Sequence, residues 1–589
     1  MSTADRFHEP AWWKSTIVYQ IYPASFKDSN GDGHGDLRGI TSKLDYLKDL
    51  GVDMIWLCPI YKSPMADMGY DISDYQDINP TFGTLADWEE LKNGLHSRGM
   101  KLIMDLVVNH TSDEHPWFIE SRSSKTSPKR DWYFWRPARY VDGVRKAPNN
   151  WRSIFGGPAW EWDEATQEYY LHIFATEQPD LNWETPALRK AVQDMMDWWL
   201  QKGINGFRLD AINLISKQPG LPDAEITEPD EELQSAFSRY NHGPRVHEWL
   251  QELHANVLDK YDAFTVGETS ATNPEQAMQY IRQDRNPKEL QMIFNTDLYQ
   301  HLDLFGPWDT GAPPPKDLPG FKRTISKWQT YMQENGGWNS IYLENHDHPR
   351  SLIRFMTEEP KYRELCSKAL CVVLSTLSGT LFVYQGQEIG MINLPKEWGI
   401  EEYQDVATKN WYSEALEKRQ KETGQKNPDM SGIMAGIHRK ARDNSRLPMQ
   451  WDTSPNGGFS TGKPWMRSSP DAQVCNVAQQ TTDPDSVFHF WRKMLNLRKE
   501  SPILVYGSFE DMELSGAERA VFAYIRKLED KALFVAVNFT EQDVPLDLSA
   551  SPVDLDKLGT VLLSNYEGTT LDRLTGLKPY QAVICEISL

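Results

Sequence analysis

Short runs of β-branched and aromatic residues recur along the first two thirds of the chain, at 17–22, 54–59, 102–108, 206–212, 264–268, 290–295, 340–344 and 381–384. Between them apolar residues return at helical spacing, so the pattern predicts repeated strand–helix units. Helices are expected over 40–50 and 85–98, stopped by Gly51 and Gly99, and over 188–200, leading into the fourth strand. Eight such runs match a (β/α)₈ TIM barrel, closed by a helix over 488–499. The stretch between the third and fourth runs is far longer than an ordinary strand–helix connection and is rich in aromatics. It predicts a domain inserted over the barrel mouth. The expected organisation is barrel over 1–110, inserted domain over 111–185, barrel again over 186–510 with a polar subdomain near 391–480, and a C-terminal antiparallel β-sandwich over 511–589.

At 589 residues the chain exceeds one compact core, which agrees with several domains. Its net charge of −22 disfavours nucleic acid, anionic membranes and polyanionic substrates, and leaves neutral ligands as the natural partners. The 22 Trp, 24 Tyr and 22 Phe suit both cores and sugar-stacking surfaces. Five scattered cysteines form neither a disulfide framework nor a zinc spacing. Residues 1–14 lack the apolar stretch of a secretion signal, and no window reaches the roughly 18 apolar residues of a membrane span. A soluble, cytoplasmic and monomeric protein is expected.

Chemistry gathers at the ends of the apolar runs. Arg208 and Asp210 are two apart in a strand and project side by side, so the guanidinium is expected to hold Asp210 ionised, as a nucleophile requires. Glu268 ends a second run behind apolar Phe264 and Val266, a setting that favours a protonated carboxyl. Asp347 follows a third run, and His110 and His346 stand beside these ends as donors to hydroxyls. Two carboxyls about 5–5.5 Å apart perform retaining glycoside hydrolysis, one as nucleophile and one as acid and then base. Separately, Asp28, Asn30, Asp32, His34 and Asp36 alternate with small residues, a spacing that offers oxygens to a structural Ca²⁺. Gly39 replaces the final glutamate of an EF-hand loop, so the loop is not of that type.

These motifs together resemble the α-amylase family, glycoside hydrolase family thirteen, in its oligo-1,6-glucosidase and maltase branch. The resemblance spans essentially the whole chain. It rests on the segments 105–110 (DLVVNH), 206–210 (GFRLD), 267–268 (GE), 344–347 (ENHD), 178–182 (QPDLN) and 442–451 (RDNSRLPMQW). It implies Asp210 as nucleophile, Glu268 as acid/base and Asp347 as transition-state stabiliser. It implies Asp67, Tyr70, His110, Phe174, Gln178, Arg208, His346 and Arg442 around a blind pocket for a terminal glucose, and the family's Ca²⁺ site in the 28–36 loop. In that branch Ala or Thr after the nucleophile accompanies α-1,4 linkages and Val accompanies α-1,6; Ala211 therefore points to maltose-like substrates, while 213–217 (NLISK) is similar to isomaltose-type enzymes. His348 stands where relatives often carry Gln, beside the leaving-group position. Sucrose or trehalose isomerases share the scaffold and are the alternative within catalysis. Non-catalytic transporter heavy chains are the alternative outside it, though those carry an anchor and have lost catalytic acids.

Overall fold

The structure is a computed structural model that describes residues 7–300, 317–546, 558–571 and 574–588. The parts of the expected domains at 1–6, 301–316, 547–557, 572–573 and 589 lie outside the described residues. Eight parallel strands form the central sheet: β1 (Ile17–Ile21), β2 (Met54–Leu57), β3 (Lys101–Val107), β4 (Gly206–Asp210), β5 (Phe264–Thr269), β6 (Met292–Asn295), β7 (Ser340–Ile341) and β8 (Thr380–Tyr384). They pair in the order β6-β5-β4-β3-β2-β1-β8-β7, all parallel. Across the remaining seam Ser340 Oγ donates to the Ile293 carbonyl at 2.7 Å, so the sheet nearly closes into a barrel. These strands are buried on both faces, which is why they read as continuous apolar runs and not as alternations.

Three elements depart from the pattern, each for a local reason. One helix is predicted over 40–50, but Asp36 caps Gly39 N at 2.7 Å and starts a turn early, giving Leu37–Thr41 and then Leu44–Leu50. A strand is predicted to Glu344, but β7 stops at Ile341. The Glu344 carboxylate turns to Arg350 and to the N–H and hydroxyl of Ser351, and the chain leaves the ladder. β4 is predicted to Ile212 but stops at Asp210, because Ala211 adopts a left-handed conformation, φ 41° and ψ 36°.

After β3 the chain builds a small antiparallel sheet from Trp135–Arg136, Trp160–Asp163 and Glu168–Leu171. Its core of Trp151, Trp160, Leu171 and Ile173 also takes in Ala211 and Leu214 after β4, so this layer rests on the barrel mouth. Gln234–Ser235, also after β4, pairs with Trp151–Arg152; nothing in the hydrophobic pattern announces that return. After β8 come helices Val406–Thr423 and Ser431–Lys440, the first of which meets the inserted layer where Asn410 donates to the Phe155 carbonyl.

Past the closing helix Val487–Glu500 come β9 (Ser508–Met512), β10 (Val521–Leu528), β11 (Lys531–Asn538), β12 (Leu558–Ser564) and β13 (Ala582–Ile587), an antiparallel sheet in the order β9-β10-β11-β13-β12. Period-two burial divides it: Phe522, Tyr524, Val535 and Val537 pack into the barrel core, and Ala523, Ile525, Phe534 and Ala536 form a separate outer core. Arg526 reaches inward from β10 and donates to the Gly507 carbonyl at 2.7 Å and to Thr376 O. Among the described residues, no helix is long and apolar enough to cross a membrane.

Candidate active site

The C-terminal ends of β3, β4 and β5 converge on one guanidinium. Arg208 lies inside β4 and is buried, so its two terminal nitrogens need acceptors and find three carboxylates. Nη1 donates to Asp105 Oδ1 at 2.6 Å and to Asp210 Oδ1, and Nη2 donates to Glu268 Oε2 at 2.7 Å. Trp56 lies beneath the guanidinium plane, 5.2 Å from its centre, and gives its indole N–H to the second oxygen of Asp105 at 2.6 Å. Glu268 accepts a further hydrogen bond, 3.1 Å, from the N–H of Ala211. The left-handed turn at Ala211 aims that N–H, so a sparsely populated backbone conformation sits where two acids meet.

The expectation that Arg208 alone keeps Asp210 ionised meets a more crowded arrangement. Burial pushes the Asp210 carboxyl well above the usual carboxylate range, and the charges of Glu268 and Asp105 add to it. Arg208 pulls the other way, but one cation is divided among three carboxylates. The balance leaves the Asp210 carboxyl raised, with burial as the largest cause.

A second cluster faces them. His346 Nε2 stands 3.0 Å from Asp347 Oδ2, while Arg442 Nη1 and Arg446 Nη2 reach Asp347 Oδ1 at 3.3 and 3.0 Å. Burial alone would raise the Asp347 carboxyl; His346, Arg442 and Arg446 outweigh it and hold the group well below the usual range. Arg442 also donates to Asp67 Oδ1 at 3.1 Å and to Asp405 Oδ1 at 2.5 Å, and Arg446 to the same Asp405 oxygen at 3.3 Å. On the remaining side Gln178 Nε2 donates to Asp67 Oδ2 at 3.1 Å and to the Tyr70 carbonyl at 3.3 Å. His110 Nε2 meets the same carbonyl at 3.0 Å, and burial lowers its pKa to about 4, so the ring is neutral at physiological pH. Phe174 packs edge-on to His110, and Tyr70 stacks on His346 at 5.2 Å. The eleven residues singled out from the sequence for catalysis or sugar binding are thus linked by one chain of contacts.

Sequence reasoning did not single out Asp105, Trp56, Asp405 or Phe155 for the site. Asp405 is one acid among many in a polar stretch, yet it caps Val406–Thr423 and braces both pocket arginines. Phe155 comes from the inserted layer and lies under the Arg442 guanidinium at 5.0 Å. Its carbonyl accepts from Asn410 Nδ2 at 3.3 Å, so the inserted layer touches helix Val406–Thr423 there.

The 28–36 loop follows β1 and packs against the segment around Ser460. Asp28 accepts from the amides of Asn30, Gly31 and Gly33 and from Ser460 Oγ at 2.6 Å, contacts that outweigh burial and lower its pKa. Asn30 Oδ1 accepts from Asp32 N, Asp32 from His34 N, and Asp36 from Ser29 and Gly39. The donors are oxygen throughout, the chemistry a hard cation takes, so the residue types fit Ca²⁺. Among the described residues no three His, Cys, Asp or Glu side chains converge as a metal cluster, and the loop holds its shape by its own hydrogen bonds.

Comparison with known proteins agrees with this geometry. Residues 20–507 match the alpha amylase catalytic domain, and residues 521–584 match the alpha-amylase SusG C-terminal domain. The chain is 48% identical to an alpha-glucosidase of Schizosaccharomyces pombe, covering 98% of each chain. It is 48% identical to an oligo-1,6-glucosidase of Parageobacillus thermoglucosidasius, covering 99% of this chain and 100% of the relative. The crystal structure of the isomaltulose synthase from Protaminobacter rubrum superposes with a TM-score of 0.89 at 38% identity, covering 99% of this chain and 100% of that one. A catalytic-domain match over most of the sequence, with relatives near half identical from end to end, places the protein in the alpha-amylase family of glycoside hydrolases.

Proposed function

We propose that the protein is an exo-acting, retaining α-glucosidase that releases α-glucose from the non-reducing end of maltose-like, and also isomaltose-like, oligosaccharides. The observation that carries this reading is the shared guanidinium. Asp210 and Glu268 occupy its two terminal nitrogens, which keeps the two carboxyls close, as the short separation of about 5–5.5 Å in retaining enzymes requires and the about 6.5–9.5 Å of inverting ones does not. Asp210 attacks the anomeric carbon as the glycosidic C–O bond breaks, and Glu268 passes its proton to the departing oxygen. A water then gives a proton back to Glu268 and attacks the same carbon, releasing glucose and the Asp210 carboxylate. Asp347, held ionised by His346, Arg442 and Arg446, stabilises the oxocarbenium-like transition state and accepts from sugar hydroxyls. The Asp67–Arg442 bridge closes the floor of the pocket, which supports exo action on a terminal glucose.

The likeness to an isomaltulose synthase favours one second reading, capture of the glucosyl group by the released sugar instead of water. Product analysis on maltose, isomaltose, sucrose and trehalose separates the two. Glucose as the main product from maltose is expected, whereas a new disaccharide as the main product from sucrose would overturn hydrolysis. Asp210→Asn is expected to lose nearly all turnover while folding normally, and unchanged turnover would reject the assignment.

The 28–36 loop is proposed to hold a structural Ca²⁺ through Asp28, Asn30, Asp32, Asp36 and the His34 carbonyl; the ion would fix the loop and takes no part in the chemistry. Five buried cysteines outside any disulfide support a reducing, cytoplasmic setting.

A further inference from the structure

Gln20 is the polar residue of the otherwise apolar strand β1, and it is 1% exposed. It sits level with Trp56 on β2 and Tyr384 on β8, inside the wall of the barrel. A buried amide there costs free energy unless it finds partners, and an aliphatic residue would fill the space without that cost. Its Nε2 lies 2.8 Å from His346 Nδ1 and 3.2 Å from Cys58 Sγ. The other ring nitrogen of His346 faces Asp347 Oδ2 at 3.0 Å, and the ring is stacked between Tyr70 and Tyr22 at centroid distances of 5.2 and 6.0 Å. The two tyrosines fix the plane of the imidazole but say nothing about where its proton sits. The amide does.

We infer that Gln20 is a positioning residue that sets the tautomer of His346: its N–H donates to Nδ1, so the ring proton is confined to Nε2 and points at Asp347. An amide N–H facing Nδ1 leaves no room for a proton on that atom. Nε2–H then donates to Oδ2 of Asp347, whose other oxygen is held by Arg442 and Arg446. The carboxylate is thereby fixed at both oxygens before sugar arrives. The reversed amide, with its oxygen towards Nδ1, would require a second ring proton and an imidazolium beside Asp347. The inference rests on the hydrolase reading for its consequence, but the tautomer itself does not.

The test has two arms. Nitrogen-15 NMR of the imidazole side chains in the intact enzyme, with the His346 signals assigned through their change in Gln20→Glu, reads the tautomer directly. A bare Nδ1 and a protonated Nε2 are expected; a protonated Nδ1 overturns the inference, whatever the activity. Gln20→Met fills the same space without a donor. It is expected to lower kcat about 10–100-fold, the range for removing the outer partner of an oriented imidazole, with KM changed less than about threefold. Full kcat in a folded Gln20→Met variant would reduce Gln20 to packing and refute the proposal. If that variant fails to fold, the NMR arm on the unaltered enzyme still decides. Loss of activity in Asp210→Asn tests the hydrolase reading separately and leaves the tautomer untouched.

Discussion

Lys217→Met is expected to loosen the inserted layer from the barrel. Lys217, just beyond β4, and Asp180, at the end of the inserted layer, meet at 2.6 Å with side chains 1% and 0% exposed. The ammonium also donates to Asn109 Oδ1 at 2.7 Å, next to His110. Asp180 accepts from Ile173 N at 3.0 Å, so the pair ties the aromatic layer to the residues after β3 and β4. Removing the lysine leaves a buried carboxylate without its cation, which costs about 3–5 kcal/mol when one partner of a buried pair is lost. Removing both charges in Asp180→Asn/Lys217→Met takes away the uncompensated charge, so the double variant is expected to regain about 2 kcal/mol of that loss. A chain of several domains does not unfold in one step, so the assay is native-state hydrogen exchange or limited proteolysis of residues 111–185, which reads the local opening energy. A loss below about 1 kcal/mol in the single variant, or a double variant no more stable than the single, would refute the clamp.

Arg442→Lys keeps the charge but not the fork that reaches Asp67, Asp347 and Asp405 together. Losing one or more charged hydrogen bonds of about 1.5–3 kcal/mol each is expected to cut kcat/KM on maltose at least tenfold, and steady-state kinetics within threefold of the parent would contradict that role. Burial lowers the pKa of His110 to about 4 and of His115 and His348 to about 3, all below the usual 6.5. Their contribution is complete above pH 6.5 and is lost as pH falls, because the unfolded chain gains protons first; at pH 5 each costs about 2 kcal/mol relative to neutral pH. Urea unfolding midpoints should therefore fall steeply between pH 6.5 and 5, and His115→Gln should remove about one proton from that slope; a flat profile would exclude these rings as its cause. Chelation of Ca²⁺ should lower the melting temperature without altering the site, since an ion at one hundred times its Kd contributes about 2.7 kcal/mol. A melting temperature indifferent to chelator and to added Ca²⁺ would remove the ion from the account.

Much of the barrel was legible because its strands are buried on both faces and stop at polar residues. Asp210, Glu268 and His110 stand at such stops, and strand parity alone places Arg208 beside Asp210. What stayed hidden depends on contacts between distant segments. Asp405 earns its place only because a helix cap folds back onto Arg442 and Arg446, and no local pattern signals that. The short β7 follows from Glu344 turning to Arg350 and Ser351, a choice made by side chains after the fold forms. The effect of Arg208 was legible in sign but not in outcome, since its division among Asp105, Asp210 and Glu268 appears only in three dimensions. Gln20 was visible throughout as a polar residue in an apolar run; its partners across the barrel were not.

The anomer first set free most directly tests the claim that two close carboxyls on one guanidinium act in succession. Proton NMR during the first seconds of maltose turnover should show α-glucose appearing from the non-reducing unit before mutarotation. Initial release of β-glucose would mean a single inverting displacement and would contradict the roles assigned to Asp210 and Glu268.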